Sequence, residues 1–224
     1  MPKFSDADMD CYPFSIASIR NSSQVKFHPD VTFLVGENGS GKSTLLEAIA
    51  ALLGFSPEGG TVNVNLDSAD DRSILHEHLK ASRSVIRPRE SYFLRAESFF
   101  NVATADNYFN LGKLHQQSHG EAFLDVLTNR LNGDGIYLFD EPEAALSPVR
   151  QLAAVQRIHS LVEKDSQFII ATHSPILMAY PRARILQFDE FGINEISYTE
   201  TEHYKFTKNF LNNHGAMMHH LLKT

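Results

Sequence analysis

The chain has 224 residues, enough for one domain spanning 1–224 with a sizeable core and a small subsidiary lobe. Its formal charge of −7 argues against broad attraction to polyphosphate surfaces, and its single cysteine, Cys11, excludes an internal disulfide and suits a reducing compartment. Residues 1–8 are acidic without an apolar signal region, and no apolar run approaches the ~20 residues of a membrane span; a cytoplasmic protein without membrane insertion is expected.

In chain order, Tyr12–Arg20 reads as the first strand of a sheet, with alternation at Phe14, Ile16, Val25 and Phe27 supporting strands across residues 12–35. Val31-Thr-Phe-Leu-Val35 is β-branched and apolar, which predicts a buried strand. Directly after it stands Gly36-Glu-Asn-Gly-Ser-Gly-Lys-Ser-Thr44, and a helix-forming run continues to Leu53. Strand, glycine-rich loop and helix in that order, with G-x-x-x-x-G-K-[ST] between them, predict a cradle for a nucleoside triphosphate. The glycines let successive amides converge on one anion, and the helix N-terminus adds partial positive charge. Gly36, Asn38, Gly39, Ser40, Gly41, Lys42, Ser43 and Thr44 are its expected members. Among them Lys42 would reach the β- and γ-phosphates, and the Ser43 hydroxyl would hold Mg²⁺.

Residues 55–70, rich in Gly, Pro, Asn and Asp, predict a surface loop or β-excursion, and residues 71–130 a largely helical lobe. Within that lobe Ser91–Phe100 reads as a strand running into a polar turn. Arg83, Arg87, Arg89 and Arg95 lie within thirteen residues, either as a nucleic-acid footprint or as a solvated face. Gln117-Ser-His-Gly-Glu121 opens a helix, with Ser118 as N-cap and Glu121 as its capping-box partner. Apolar residues follow at Leu124, Leu127 and Leu131, and Asn132-Gly133 ends the run.

Gly135-Ile-Tyr-Leu-Phe-Asp-Glu-Pro-Glu143 is a short apolar strand ending in carboxylates. Asp140 at its tip suits a Mg²⁺ shell, and Glu141 suits the water that attacks a γ-phosphate. A second such strand, Gln167–Ala171, runs into Thr172-His173-Ser174-Pro175, where His173 can donate a hydrogen bond to that phosphate. Ile185–Phe188 and Ile193–Tyr198 predict two last strands, and a final amphipathic helix is expected near Phe206–Leu211. His76, His78, His214, His219 and His220 have no matching carboxylate or cysteine cluster and read as surface residues. The fold class is α/β: a P-loop NTPase with a mostly parallel sheet, an antiparallel β-edge and a small helical lobe.

Gly36–Thr44, Ile136–Glu143 and Ala171–Pro175 resemble, in order, the Walker A motif, the Walker B motif with its catalytic glutamate, and the switch histidine of ABC-type ATPases. The likeness runs over about residues 12–190, and Ala144–Ser147 resembles the D-loop. The Glu37-Asn38 start of the phosphate loop is similar to that of the RecF and SMC branch and its small stand-alone bacterial ATPases. The resemblance implies Mg²⁺-dependent ATP hydrolysis by a head-to-tail homodimer, with Lys42, Glu141 and His173 catalytic and Ser43 and Asp140 on the metal. Residues 117–121 match the signature segment, so Ser118 and Gly120 would act on the opposite protomer's ATP. Gln117 and His119 depart from its Leu-Ser-Gly-Gly-Gln/Glu pattern. No glutamine occupies the Q-loop position; Glu97 is the candidate there for Mg²⁺ or the attacking water, or else a partner of Arg95. Arg20 or Phe14 would pack on the base, with a core role the alternative for Phe14. Three roles fit: DNA maintenance or phage defence on nucleic acid, a transporter motor docked on a membrane protein, or an ATP-gated switch for a protein partner.

Overall fold

The computed structural model describes residues 11–62, 74–83, 88–96 and 119–223, with His119 described by its backbone only. Glu97, Ser118, Gln117 and Arg87 fall outside the described residues, as does the stretch 97–118 of the expected helical lobe.

The sheet is built on β1 (Val31–Gly36), buried at every position, as expected of a strand covered on both faces. Beside it run β4 (Gln167–Ala171) and β5 (Ala183–Asp189), both parallel to it. β3 (Gly135–Asp140) pairs with β4, and β2 (Glu90–Arg95) with β3, again in parallel. Among the described strands β6 (Gly192–Ile196) alone is antiparallel, along β5, so the order is β2-β3-β4-β1-β5-β6. This is the expected mostly parallel α/β sheet with one antiparallel edge.

Period-two alternation divides the core. Val31, Phe33, Val35, Tyr137, Phe139, Phe168 and Ile170 face one layer. There they meet Ala154, Ile158 and Leu161 of α5 (Pro148–Val162) and Phe123 of α4 (His119–Asp125). On the other face Leu34, Leu138, Ile169 and Leu186 receive Leu45, Leu46, Ala48 and Ala50 of α2 (Lys42–Leu53). Each leucine buried this way contributes about 1.5–3 kcal/mol. Gly54, left-handed at φ 92°, ends α2. α4 runs on as a π-helical turn, Val126–Arg130, and the chain reverses at Gly133. Two short helices complete the middle of the chain, α3 (Leu75–His78) and α6 (Pro175–Met178). The last helix, α7 (Glu202–Leu221), is longer at both ends than its apolar spacing suggested.

The stretch Tyr12–Arg20 is not a strand. Residues 12–15 form a turn, and α1 (Ala17–Arg20) is a single helical turn; Val25 and Phe27 lie outside the sheet as well. Pro13 withholds the amide that a strand ladder needs, and Ser18 is engaged by its hydroxyl with the Ser40 carbonyl of the phosphate loop. Ile16 and Ile19 close over Gly41, where an added Cβ would come within 3.0 Å of Ile16 Cγ2 and 3.2 Å of Ile19 Cδ1. Phe14 is a core residue, 6% exposed and edge-on to His78.

Candidate functional site

Register alone brings three strand tips together. Leu34 of β1 pairs with Ala171 of β4, and Ala171 pairs with Asp140 of β3. The chain leaves all three strands at the same edge, where parallel sheets gather their ligands. The Glu141 amide donates to the Ala171 carbonyl (2.9 Å) and the Thr172 amide to the Leu34 carbonyl (3.1 Å), so the exits themselves are stitched.

From β1 the phosphate loop turns through Gly36, Gly39 and Gly41, all at positive φ. A side chain at Gly36 would put its Cβ 2.6 Å from the Phe188 carbonyl oxygen, so only glycine fits there. α2 has Gly41 as N-cap, with no side-chain cap and no carboxylate in the first turn, which leaves its positive end to an anion. Ser40 Oγ is buried in this loop without a hydrogen-bond partner. Lys42 is 4% exposed and donates to the carbonyls of Gly36 and Glu37, both at 2.8 Å. Burial lowers its pKa, while Glu141, Asp140 and Glu143 act in the opposite direction.

Ser43 Oγ donates to Asp140 Oδ1 at 3.0 Å, joining α2 to the tip of β3. The Asp140 carboxyl is 8% exposed, and burial pushes its pKa up to about 6 against the opposing pull of Ser43 and Arg95. A hydroxyl and a poorly solvated carboxylate side by side make a pair of hard oxygen donors, and a divalent cation there would favour the charged carboxylate. The donor set therefore fits Mg²⁺.

Glu141 sits at φ 50°, ψ 50°, a left-handed conformation uncommon outside glycine. Its side chain is 46% exposed, with Oε1 3.6 Å from His173 Nε2. Glu143, two residues on, holds the opposite turn: its carboxylate accepts from the His173 amide (2.5 Å) and the Thr172 hydroxyl (2.7 Å). Burial raises its pKa, and those two bonds oppose the rise. Removing this acceptor leaves two donors unmet. Glu143→Ala should cost about 1–3 kcal/mol of stability in urea unfolding, and should lower ATPase activity as His173 loosens. Unchanged stability and activity together would show that the turn stands without Glu143.

Arg95, read from sequence as a possible partner of Glu97, pairs with Glu47 of α2 at 2.8 Å and donates to the Pro57 carbonyl at 3.2 Å. It is thereby tied into the structure beside Asp140. Arg89 pairs with Asp134 at the opposite end of β2, a strand of six residues and so roughly 20 Å away. These two arginines do not share one patch. Arg20 is exposed at the end of α1. An aromatic residue that sequence reading passed over stands closer to the cradle: Tyr12 is 63% exposed, with its hydroxyl 3.1 Å from Thr44 Oγ1. Its ring is an available face for stacking a base. Gly120 is buried within its own chain; a Cβ there would meet the Ala145 carbonyl at 2.5 Å and Arg150 at 2.6 Å, while Arg150 also holds Glu121 at 3.0 Å. Also missed was His203, bonded to His173 at 2.8 Å.

A family model described as AAA domain matches residues 15–209. The chain belongs to that family. This AAA-domain protein is a P-loop ATPase that binds ATP. It is 25% identical over 186 residues to a phosphonates import ATP-binding protein of Nostoc sp., covering 69% of this chain and 70% of that protein. With an arginine transport ATP-binding protein of Bacillus subtilis it shares 26% identity over 211 residues, covering 79% and 83%. Among solved structures, the SMC head domain from Thermotoga maritima matches with a TM-score of 0.42 and 16% identity, over 77% of this chain and 92% of that one. A cbiO1 protein from Clostridium perfringens, part of an ABC transporter complex, matches with a TM-score of 0.42 and 16% identity, over 86% and 88%. No helix among the described residues is long and apolar enough to cross a membrane.

Proposed function

We infer that this ATPase hydrolyses ATP with Mg²⁺ as a head-to-tail homodimer and works as an ATP-gated module for a protein partner. The observation that carries the reading is the convergence of Lys42, Ser43, Asp140, Glu141 and His173 on one sheet edge. Lys42 leaves the loop carbonyls for the β- and γ-phosphates as ATP enters. Ser43 and Asp140 would hold the metal, which would supply neutralisation of charge on the phosphates. Glu141 positions the attacking water, and His173 donates to the γ-phosphate. The Tyr12 ring stacks on the base; Tyr12→Ala should raise KM for ATP several-fold with little change in kcat, and an unchanged KM would return the base to another platform.

Dimeric action is supported by the resemblance of residues 117–121 to the ABC signature. Its test mixes two inactive variants. Lys42→Ala and Ser118→Arg protomers together should recover part of the ATPase activity, because one site of the mixed dimer joins an intact phosphate loop to an intact signature. No recovery in a demonstrated mixed dimer would count against residues 117–121 as the signature or require both sites at once.

A transporter motor is the second reading, favoured by the transport names of the curated relatives. Co-purification with an integral membrane protein would select it, and isolation with a water-soluble protein would select the switch. Nucleic acid is the weaker partner, because Arg95 faces inward to Glu47 and Arg89 stands at the far end of β2.

A further inference from the structure

His173 and His203 form a hydrogen-bonded pair, Nδ1 to Nε2 at 2.8 Å, with ring centroids 4.9 Å apart. The two outer nitrogens, His173 Nε2 and His203 Nδ1, are buried without hydrogen-bond partners. Burial lowers the pKa of both rings and Lys42 adds to the effect, against Glu141 for His173 and Glu202 for His203, so the balance favours the neutral forms. Two neutral imidazoles can bond only if one supplies N–H and the other a lone pair.

Both arrangements can be weighed on the geometry. If His173 donates from Nδ1, its Nε2 is a bare lone pair aimed at the Glu141 carboxylate 3.6 Å away, which is repulsive. If His203 donates from Nε2, the proton of His173 sits on Nε2 and faces that carboxylate, which is attractive. The second arrangement wins, and it also aims an N–H at the phosphate side of the site. His203 is held in place to do this. Thr201, fully buried at the N-cap of α7, accepts from the Tyr204 amide and donates to the Tyr198 carbonyl (2.8 Å). Tyr198 in turn donates through its hydroxyl to the Pro175 carbonyl at 2.9 Å, two residues beyond His173. The foot of α7 is therefore fastened to the turn that carries His173.

We propose that His203 is a positioning residue: by donating its Nε2–H to His173 Nδ1, it fixes His173 as the Nε2–H tautomer and presents that proton to the γ-phosphate. The inference rests on the reading that His173 faces the γ-phosphate, and its test separates the two. The full chain, labelled with ¹⁵N-histidine, is examined by long-range ¹H–¹⁵N NMR without nucleotide. Both His173 and His203 should read as Nε2–H tautomers. In His203→Ala, His173 should lose its single-tautomer pattern, and kcat should fall about tenfold with KM unchanged. His203→Gln, whose terminal amide N–H reaches the place of Nε2, should restore both. An Nδ1–H tautomer on His173 in the wild type, or an unaltered tautomer in His203→Ala, overturns the proposal. The wild-type spectrum decides it even if the alanine variant does not fold. Full ATPase activity in His173→Ala would instead remove the phosphate contact, leaving the tautomer result to stand or fall by itself.

Discussion

Lys42→Ala is expected to abolish ATP binding while the fold persists. In the structure the Lys42 ammonium bonds the Gly36 and Glu37 carbonyls from inside the loop. It is nearly sealed from solvent, where a charge-assisted hydrogen bond contributes about 1.5–3 kcal/mol. Two such bonds to phosphate oxygens amount to a loss on the order of 10²- to 10⁴-fold in affinity. The deletion also leaves two loop carbonyls without a donor. A cooperative melt within several degrees of wild type is the control that separates lost binding from lost structure. Calorimetry with ATP reads the affinity, and an unchanged value would take the phosphate loop out of the site. The neighbouring Gly36→Ala change should instead destabilise the chain itself, because its Cβ would strike the Phe188 carbonyl.

The phosphate loop was legible because its chemistry is local. Loop glycines, the lysine and the helix start all lie within nine consecutive residues, and each is needed for a reason visible in the chain. β3 and β4 were legible because strands buried on both faces read as unbroken apolar runs that stop at polar residues. That Asp140 and His173 stand beside the loop was readable only by likeness, since the order β3-β4-β1 is a matter of register.

Local pattern failed where side chains compete with the backbone. Phe14 and Ile16 alternate as strand residues do, yet Ser18 bonds the phosphate loop and Pro13 interrupts any ladder. The partners that hold the site together were invisible for another reason. Glu47 with Arg95, Glu143 with the His173 amide, and His203 with His173 each join residues thirty or more positions apart. A histidine in the first turn of an amphipathic helix reads as a surface residue, and nothing near His203 says otherwise. In the structure Ser197 and Glu200 form a capping box just before α7.

Glu141→Gln is the variant that tests how hydrolysis is driven. The substitution preserves size and the backbone features that set the residue: the left-handed conformation, Pro142 after it, and the amide bond to Ala171. It removes only the negative oxygen that orients and polarises water. Loss of general-base assistance of this kind costs on the order of 10²- to 10⁴-fold in kcat. Binding should survive, because Lys42, Ser43 and Asp140 are untouched, and the ATP-loaded protein should accumulate as a dimer on size-exclusion chromatography. The result bears on His173 as well, since its Nε2 faces Glu141 at 3.6 Å and would meet an amide instead of a carboxylate. Wild-type turnover in this variant would mean that another carboxylate supplies the base. Glu143 is poorly placed to do so, because both of its oxygens already hold the Thr172–His173 turn. A drop in kcat with ATP affinity preserved would locate the lost function in the water-activating step and leave the phosphate cradle intact.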